Sequence, residues 1–163
     1  MDGTTMNVYA EADATFRLMD ACTAAFDKVL NGNPPKYKPQ NGVTWCNRAV
    51  SEICFVMGYN GFEGMLANQM IDKMEKDIPW NRLGPLEAQG HANSGYLVIA
   101  GKKQDPHGHV VVIRPGNMEY SQKWGKDVPK CVNIGAETTI GRGVNWAFKE
   151  EPRYYLWMKS RRV

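Results

Sequence analysis

The chain lacks nearly every feature that would announce a cofactor or a partner unaided. Its four cysteines, Cys22, Cys46, Cys54 and Cys131, form no Cys-x-x-Cys pair, and its three histidines, His91, His107 and His109, stand at no zinc-ligand spacing. A zinc site is therefore not expected, and no cofactor is implied. No apolar run approaches the length of about 20 residues that a membrane-spanning helix needs. The net charge is only +3, from 20 basic and 17 acidic side chains. That excess gives weak attraction to anionic surfaces and falls short of the basic footprint of a nucleic-acid binder. The opening segment MDGTTMNVYAEADATFRLMD carries acids early and has no apolar core, so it does not read as a signal peptide. Synthesis in the cytoplasm is expected, with another export route for any action outside it. No internal repeat or low-complexity segment is present.

What is present is an ordinary globular composition. With 163 residues, 43% hydrophobic and 23% charged, residues 1–163 read as one domain able to bury its own core. Residues 8–30 read as a helix, with Val8, Phe16, Met19, Ala24, Phe26, Val29 and Leu30 as apolar positions and Asn31-Gly32 as its stop. Residues 31–43, with three prolines and two Asn-Gly pairs, read as a loop. A second helix is expected from Cys46 to Met57, with Thr44 as N-cap and Gly58 past its end. Residues 64–76 carry a Met65, Leu66, Met70, Ile71, Met74 stripe, a pattern of core packing, and residues 83–92 a short helix. The period then changes. Residues 96–100 and 109–113 are β-rich runs joined by a polar loop, the pattern of a hairpin; 131–134 and 154–158 are further strand candidates. Helices first and an antiparallel sheet afterwards give an α+β fold.

Two residues carry chemistry in context. Cys46 stands in Val-Thr-Trp-Cys-Asn-Arg-Ala-Val at the expected start of a helix, where the backbone dipole lowers a thiol pKa and the residue's own N–H can face an oxyanion. His109 opens the strand His-Val-Val-Val-Ile, preceded by a glycine that admits other backbone closely. A general base has to be held rigidly, which favours His109 over the loop residue His107; His91 reads as a surface or packing residue. An imidazole needs an orienting partner on its second nitrogen. Asn133 or Cys131 can share a strand face with His109, and an amide oxygen accepts from an imidazole N–H, although Asn133 could equally cap a turn. Asp105 and Glu137 are weaker candidates. Gln40 could donate to an oxyanion or be a solvated loop amide. Trp45, Trp80, Trp124 and Trp146 could stack on a substrate beside a cleft, with Trp45, Trp80 and His107 nearest to that use, or anchor the core. Cys54 reads as a core residue. This order of thiol and histidine points to a hydrolase working by acyl transfer.

The stretches Ala24-Ala-Phe-Asp-Lys-Val-Leu, Cys46-Asn-Arg-Ala-Val, Ala67-Asn-Gln-Met-Ile-Asp-Lys-Met-Glu, Gly95-Tyr-Leu-Val-Ile-Ala-Gly-Lys and Gly108-His-Val-Val-Val-Ile occur in an order that resembles the NlpC/P60 and CHAP peptidoglycan amidases. These form a rearranged branch of the papain-like cysteine peptidases. Within it the chain looks closest to the first family of type VI secretion amidase effectors. The resemblance covers roughly residues 20–135. It implies a papain-like fold, with N-terminal helices packed on a small antiparallel sheet. It also implies a cysteine amidase or endopeptidase that degrades the cell wall, with peptidoglycan peptide as substrate. The bond implied lies between γ-D-glutamate and meso-diaminopimelate, Cys46 is the nucleophile and His109 the base. An antibacterial, bacteriolytic effector would act in the periplasm and would be matched by an immunity protein. Asn133 stands where those effectors can carry a further cysteine. A phage-type endolysin cutting the muramoyl–L-alanine bond or a cross-bridge is the enzyme alternative, and a wall-binding module the non-enzymatic one.

Overall fold

The computed structural model describes residues 3–31 and 44–158, with the backbone alone for residues 3–9 and 30. Helix α1 runs over Gly3–Asn31, α2 over Cys46–Val56, α3 over Ala67–Lys76 and α4 over Pro85–Asn93. The strands are β1 (Trp80–Leu83), β2 (Val98–Lys102), β3 (His109–Ile113), β4 (Glu119–Ser121), β5 (Lys126–Val128), β6 (Lys130–Ile134), β7 (Thr138–Gly143) and β8 (Arg153–Trp157). Six of them form one antiparallel sheet in the order β1-β8-β2-β3-β6-β7; β4 and β5 pair by themselves. The expected class, α+β with an antiparallel sheet, is the one observed.

Val98–Ala100 on β2 and Val110–Ile113 on β3 are fully buried at every position. A strand apolar at consecutive rather than alternate positions is covered on both faces, and helices supply that cover. Ile71 of α3 packs where Gly101 leaves space; a Cβ at Gly101 would stand 2.9 Å from the Ile71 side chain. Gln89 of α4, itself buried, donates to the Arg114 carbonyl and accepts from the Lys130 N–H, pinning α4 across the ends of β3 and β6. The α3 stripe is buried at Met70, Ile71 and Met74 but not at Leu66, which precedes the helix and is 56% exposed. The expected start of α3 at residue 64 is three residues early because Gly64 takes a left-handed φ of 74° that no helix tolerates.

Four strands escape the sequence reading. β1, β4 and β5 are three or four residues long, and β7 holds polar residues and Gly141 at φ 72°. None presents the apolar alternation that marks a half-buried strand. The pairing of β6 with β7 also shifts register between Cys131 and Val132.

α4 ends in a Schellman motif: the Gly95 N–H donates to the Ala92 carbonyl and the Tyr96 N–H to the His91 carbonyl. Gly95 has φ 84°, and a Cβ there would stand 2.5 Å from the α1 backbone at Ala14. The Thr15 hydroxyl completes this junction by donating to the Asn93 carbonyl. Gly95→Ala therefore meets both a left-handed backbone and an immovable neighbour. It should lower the free energy of unfolding by about 2 kcal/mol or more, read from a denaturant titration.

Candidate active site

Cys46 is the first residue of α2 and is 5% exposed. Trp45 occupies the N-cap position in place of the expected Thr44, and no side chain caps the helix. The first-turn amides of α2 thus remain free of a capping side chain. The backbone N–H groups of Cys46 and Asn47, and that of Val110 in β3, lie near the sulfur and favour its thiolate form. Val110 directly follows His109 in β3, so the strand that supplies the imidazole also supplies a donor to the thiol.

His109 Nε2 stands 2.7 Å from Asn133 Oδ1. An amide oxygen only accepts, so Nε2 carries the proton and Nδ1 of the neutral ring keeps its lone pair. The antiparallel register, Val112 opposite Val132 and Ile113 opposite Cys131, continues to set Asn133 and Gly135 on the His109 face. Gly135 leaves the room that the ring occupies: a Cβ there would lie 3.0 Å from His109 Cε1. Phe148 closes the other side, its ring centroid 5.1 Å from that of the imidazole.

Burial governs the electrostatics. It pushes the Cys46 thiol above its ordinary pKa, against the three N–H donors. It holds the His109 imidazole below its ordinary value, against the Asn133 hydrogen bond. The lowering expected from the helix N-terminus is thus overridden by desolvation. Burial thus disfavours the charged form of each group. The other cysteines are deeper still. Cys22 is pushed up to about 12 by burial, and Cys54 and Cys131 are raised in the same way; all four thiols are free.

Cys46 lies on a cleft of about 290 Å³ between Trp45, Asn47, Leu66, Asn68 and the hairpin residues Pro106 and His107. His107 is exposed on this wall. The wall is held in place by Asn68, whose amide donates to the Gln104 carbonyl at 2.9 Å, and by the Lys103–Asp72 ion pair at 2.6 Å. Gly108 fits directly against Asn68 and has no space for a side chain. Asn47 ties the start of α2 to the following loop by donating to the Met65 carbonyl at 2.9 Å. Among the described residues, no group of three or more His, Cys, Asp or Glu is placed to hold a metal ion.

The sequence-selected residues separate at this point. His109 and Asn133 meet at 2.7 Å, Cys46 lies beside the Val110 backbone that follows His109 in β3, and Trp45 and His107 line the cleft on which Cys46 lies. Trp80 does not: it is 5% exposed in β1, stacked 5.5 Å from Phe62, and belongs to the core. The sheet position that gave it an aromatic environment also removes it from any substrate. His91 donates from Nδ1–H to the Glu87 carbonyl of its own helix and packs edge-on against Tyr96. Gln40 lies outside the described residues. Sequence reasoning missed Gly135, Phe148 and the Val110 N–H. Only Gly135 carried a signal, as a glycine two residues beyond Asn133.

Two outcomes follow from this geometry. Gly135→Ala should displace the imidazole and cut any Cys46-dependent activity at least about tenfold while the melting temperature changes little, because the added methyl meets a side chain rather than backbone. For His109 the folded pKa lies below the unfolded value of 6.5. Below pH 6.5 the unfolded chain binds more protons, so acidification costs stability from that pH down to the lowered folded value. His109→Gln should flatten that part of a thermal-stability profile against pH.

No protein-family model matches the chain. It is similar to the peptidoglycan amidase Tse1 of Pseudomonas aeruginosa, 34% identical over 116 residues, which are 70% of this chain and 66% of that protein. The match spans just under two thirds of the relative's own length. No helix among the described residues is long and apolar enough to cross a membrane. By sequence, the chain is a homologue of a peptidoglycan amidase over 70% of its length.

Proposed function

We propose that the chain is a cysteine hydrolase that cuts amide bonds in the stem peptides of bacterial peptidoglycan. The observation that carries the reading is the 2.7 Å contact of His109 Nε2 with Asn133 Oδ1 on a strand whose next N–H reaches the Cys46 sulfur. The peptidoglycan amidase homologue supplies the substrate class.

The chemistry is acyl transfer. As Cys46 Sγ attacks the amide carbon, His109 Nδ1 takes the thiol proton, and the negative charge passes to the carbonyl oxygen. First-turn N–H groups of α2, that of Cys46 among them, hold this oxyanion. The C–N bond then breaks as the imidazolium protonates the leaving amine. Water attacks the thioester with Nδ1 as base, and the thiol is released with its proton restored. Because burial disfavours the charged form of each group, the ion pair forms only during attack. Asn133 holds the Nε2–H tautomer throughout, and Trp45 and His107 form walls along which the peptide lies.

A helix-borne thiol, a strand-borne histidine and an amide on the neighbouring strand support a papain-like arrangement of the NlpC/P60 type. The γ-D-glutamyl–meso-diaminopimelate bond is the one we assign. The role we infer is that of an antibacterial type VI effector acting on the wall in the periplasm and countered by an immunity protein.

Cys46→Ala should reduce peptide release from purified sacculi at least about a thousandfold. Mass spectrometry of the wild-type digest should find new amino termini on diaminopimelate. Undiminished release by Cys46→Ala would sink the mechanism; products cut at muramoyl–L-alanine would move the bond.

A further inference from the structure

We propose that a second groove, running along α2 from the thiol cleft, binds a carboxylate of the same wall peptide whose amide lies at Cys46, with Arg48 as the receiving group. This rests on the peptidoglycan reading above. The groove has a volume of about 810 Å³, well over that of the thiol cleft, and the two share Trp45, Asn47 and Leu66 as walls. A peptide leaving the sulfur past Trp45 therefore enters it.

Arg48 is the one cation among the described residues that line the groove. Arg48 lies with its guanidinium carbon 4.4 Å from the Trp45 ring centroid. Stacking fixes the plane of the guanidinium and leaves its N–H edges free to take a carboxylate in a bidentate fashion. Arg48 forms no ion pair among the described residues. Of the two acids lining the groove, Glu52 is already engaged by Lys28, and Glu63 sits exposed at the rim, where solvent screens it. Phe55 and Leu66, 69% and 56% exposed, offer apolar area on either side for the aliphatic stem of the ligand. Stem peptides carry free carboxylates on their glutamyl and diaminopimelyl units, so the substrate contains the group the groove would recognise. Arg48 follows Cys46 by two positions on a helix and so faces another direction. Its ligand is a remote group, and Arg48 sets affinity without touching the reacting atoms.

The test compares wild type with Arg48→Gln on purified muropeptides, with their carboxylates free or converted to carboxamides. On free acids Arg48→Gln should raise KM about tenfold with kcat unchanged. Wild type should suffer a similar rise on the carboxamides, and Arg48→Gln no further loss, because the two changes remove one interaction. Equal KM for wild type and Arg48→Gln on free acids, or penalties that simply add, would overturn the proposal. If wild type cleaves no muropeptide, the hydrolase reading fails separately. Equilibrium binding of the free-acid muropeptide then decides: about tenfold weaker binding by Arg48→Gln supports the groove, and equal binding overturns it.

Discussion

The site depends on the register of β3 against β6. With Ile113 opposite Cys131, His109 of β3 and Asn133 of β6 stand on the same face of the sheet, and Gly135 stands beside the ring. A slip of one residue would turn Asn133 to the other side of the sheet and bring a bulky neighbour against the imidazole. The buried runs of β2 and β3 form the centre of the sheet that carries this register, with each residue apolar and each face covered. The same register brings the Val110 N–H to the α2 terminus, so hydrophobic burial of the sheet and placement of the polar triplet are one event.

Burial that strong has an electrostatic consequence. A thiolate–imidazolium pair would have to be stabilised by its surroundings before substrate arrives, and here the surroundings oppose both charges. Three N–H donors around the sulfur offset only part of this. The geometry suits a pair that stays neutral at rest and becomes charged when an electrophile enters, when the helix-terminal amides acquire an anion to bind. In the mechanism proposed above the histidine must be correct in tautomer as well as in position, and the Asn133 contact is the one that would select the tautomer.

Much of this was legible in the sequence, for stated reasons. α2 follows from its helical periodicity and the β2–β3 hairpin from two short β-rich runs joined by a polar loop, while the places of Cys46, His109 and Asn133 in the fold follow from a helix start and strand parity. What was hidden depends on atoms far apart in the chain. Trp80 looks like Trp45 by type and neighbourhood; only the pairing of β1 with β8 sends it to the core. Gly135 and Phe148 matter through the space they leave or fill around an imidazole that lies more than 20 positions away in the chain, which no local pattern encodes. The raised thiol pKa needed the depth of burial, whereas the helix end visible in the sequence argues the opposite sign.

The sheet is open, with β1 and β7 at its margins. Open margins expose ladder groups to any extended chain nearby. Here β1 is only four residues long, while β7 carries Gly141 in a left-handed conformation beside a shifted register. Neither margin presents a long, flat, regular ladder, so a foreign strand finds little to zip onto. The irregularities that hid these strands from periodicity are the same ones that keep the sheet from templating aggregation.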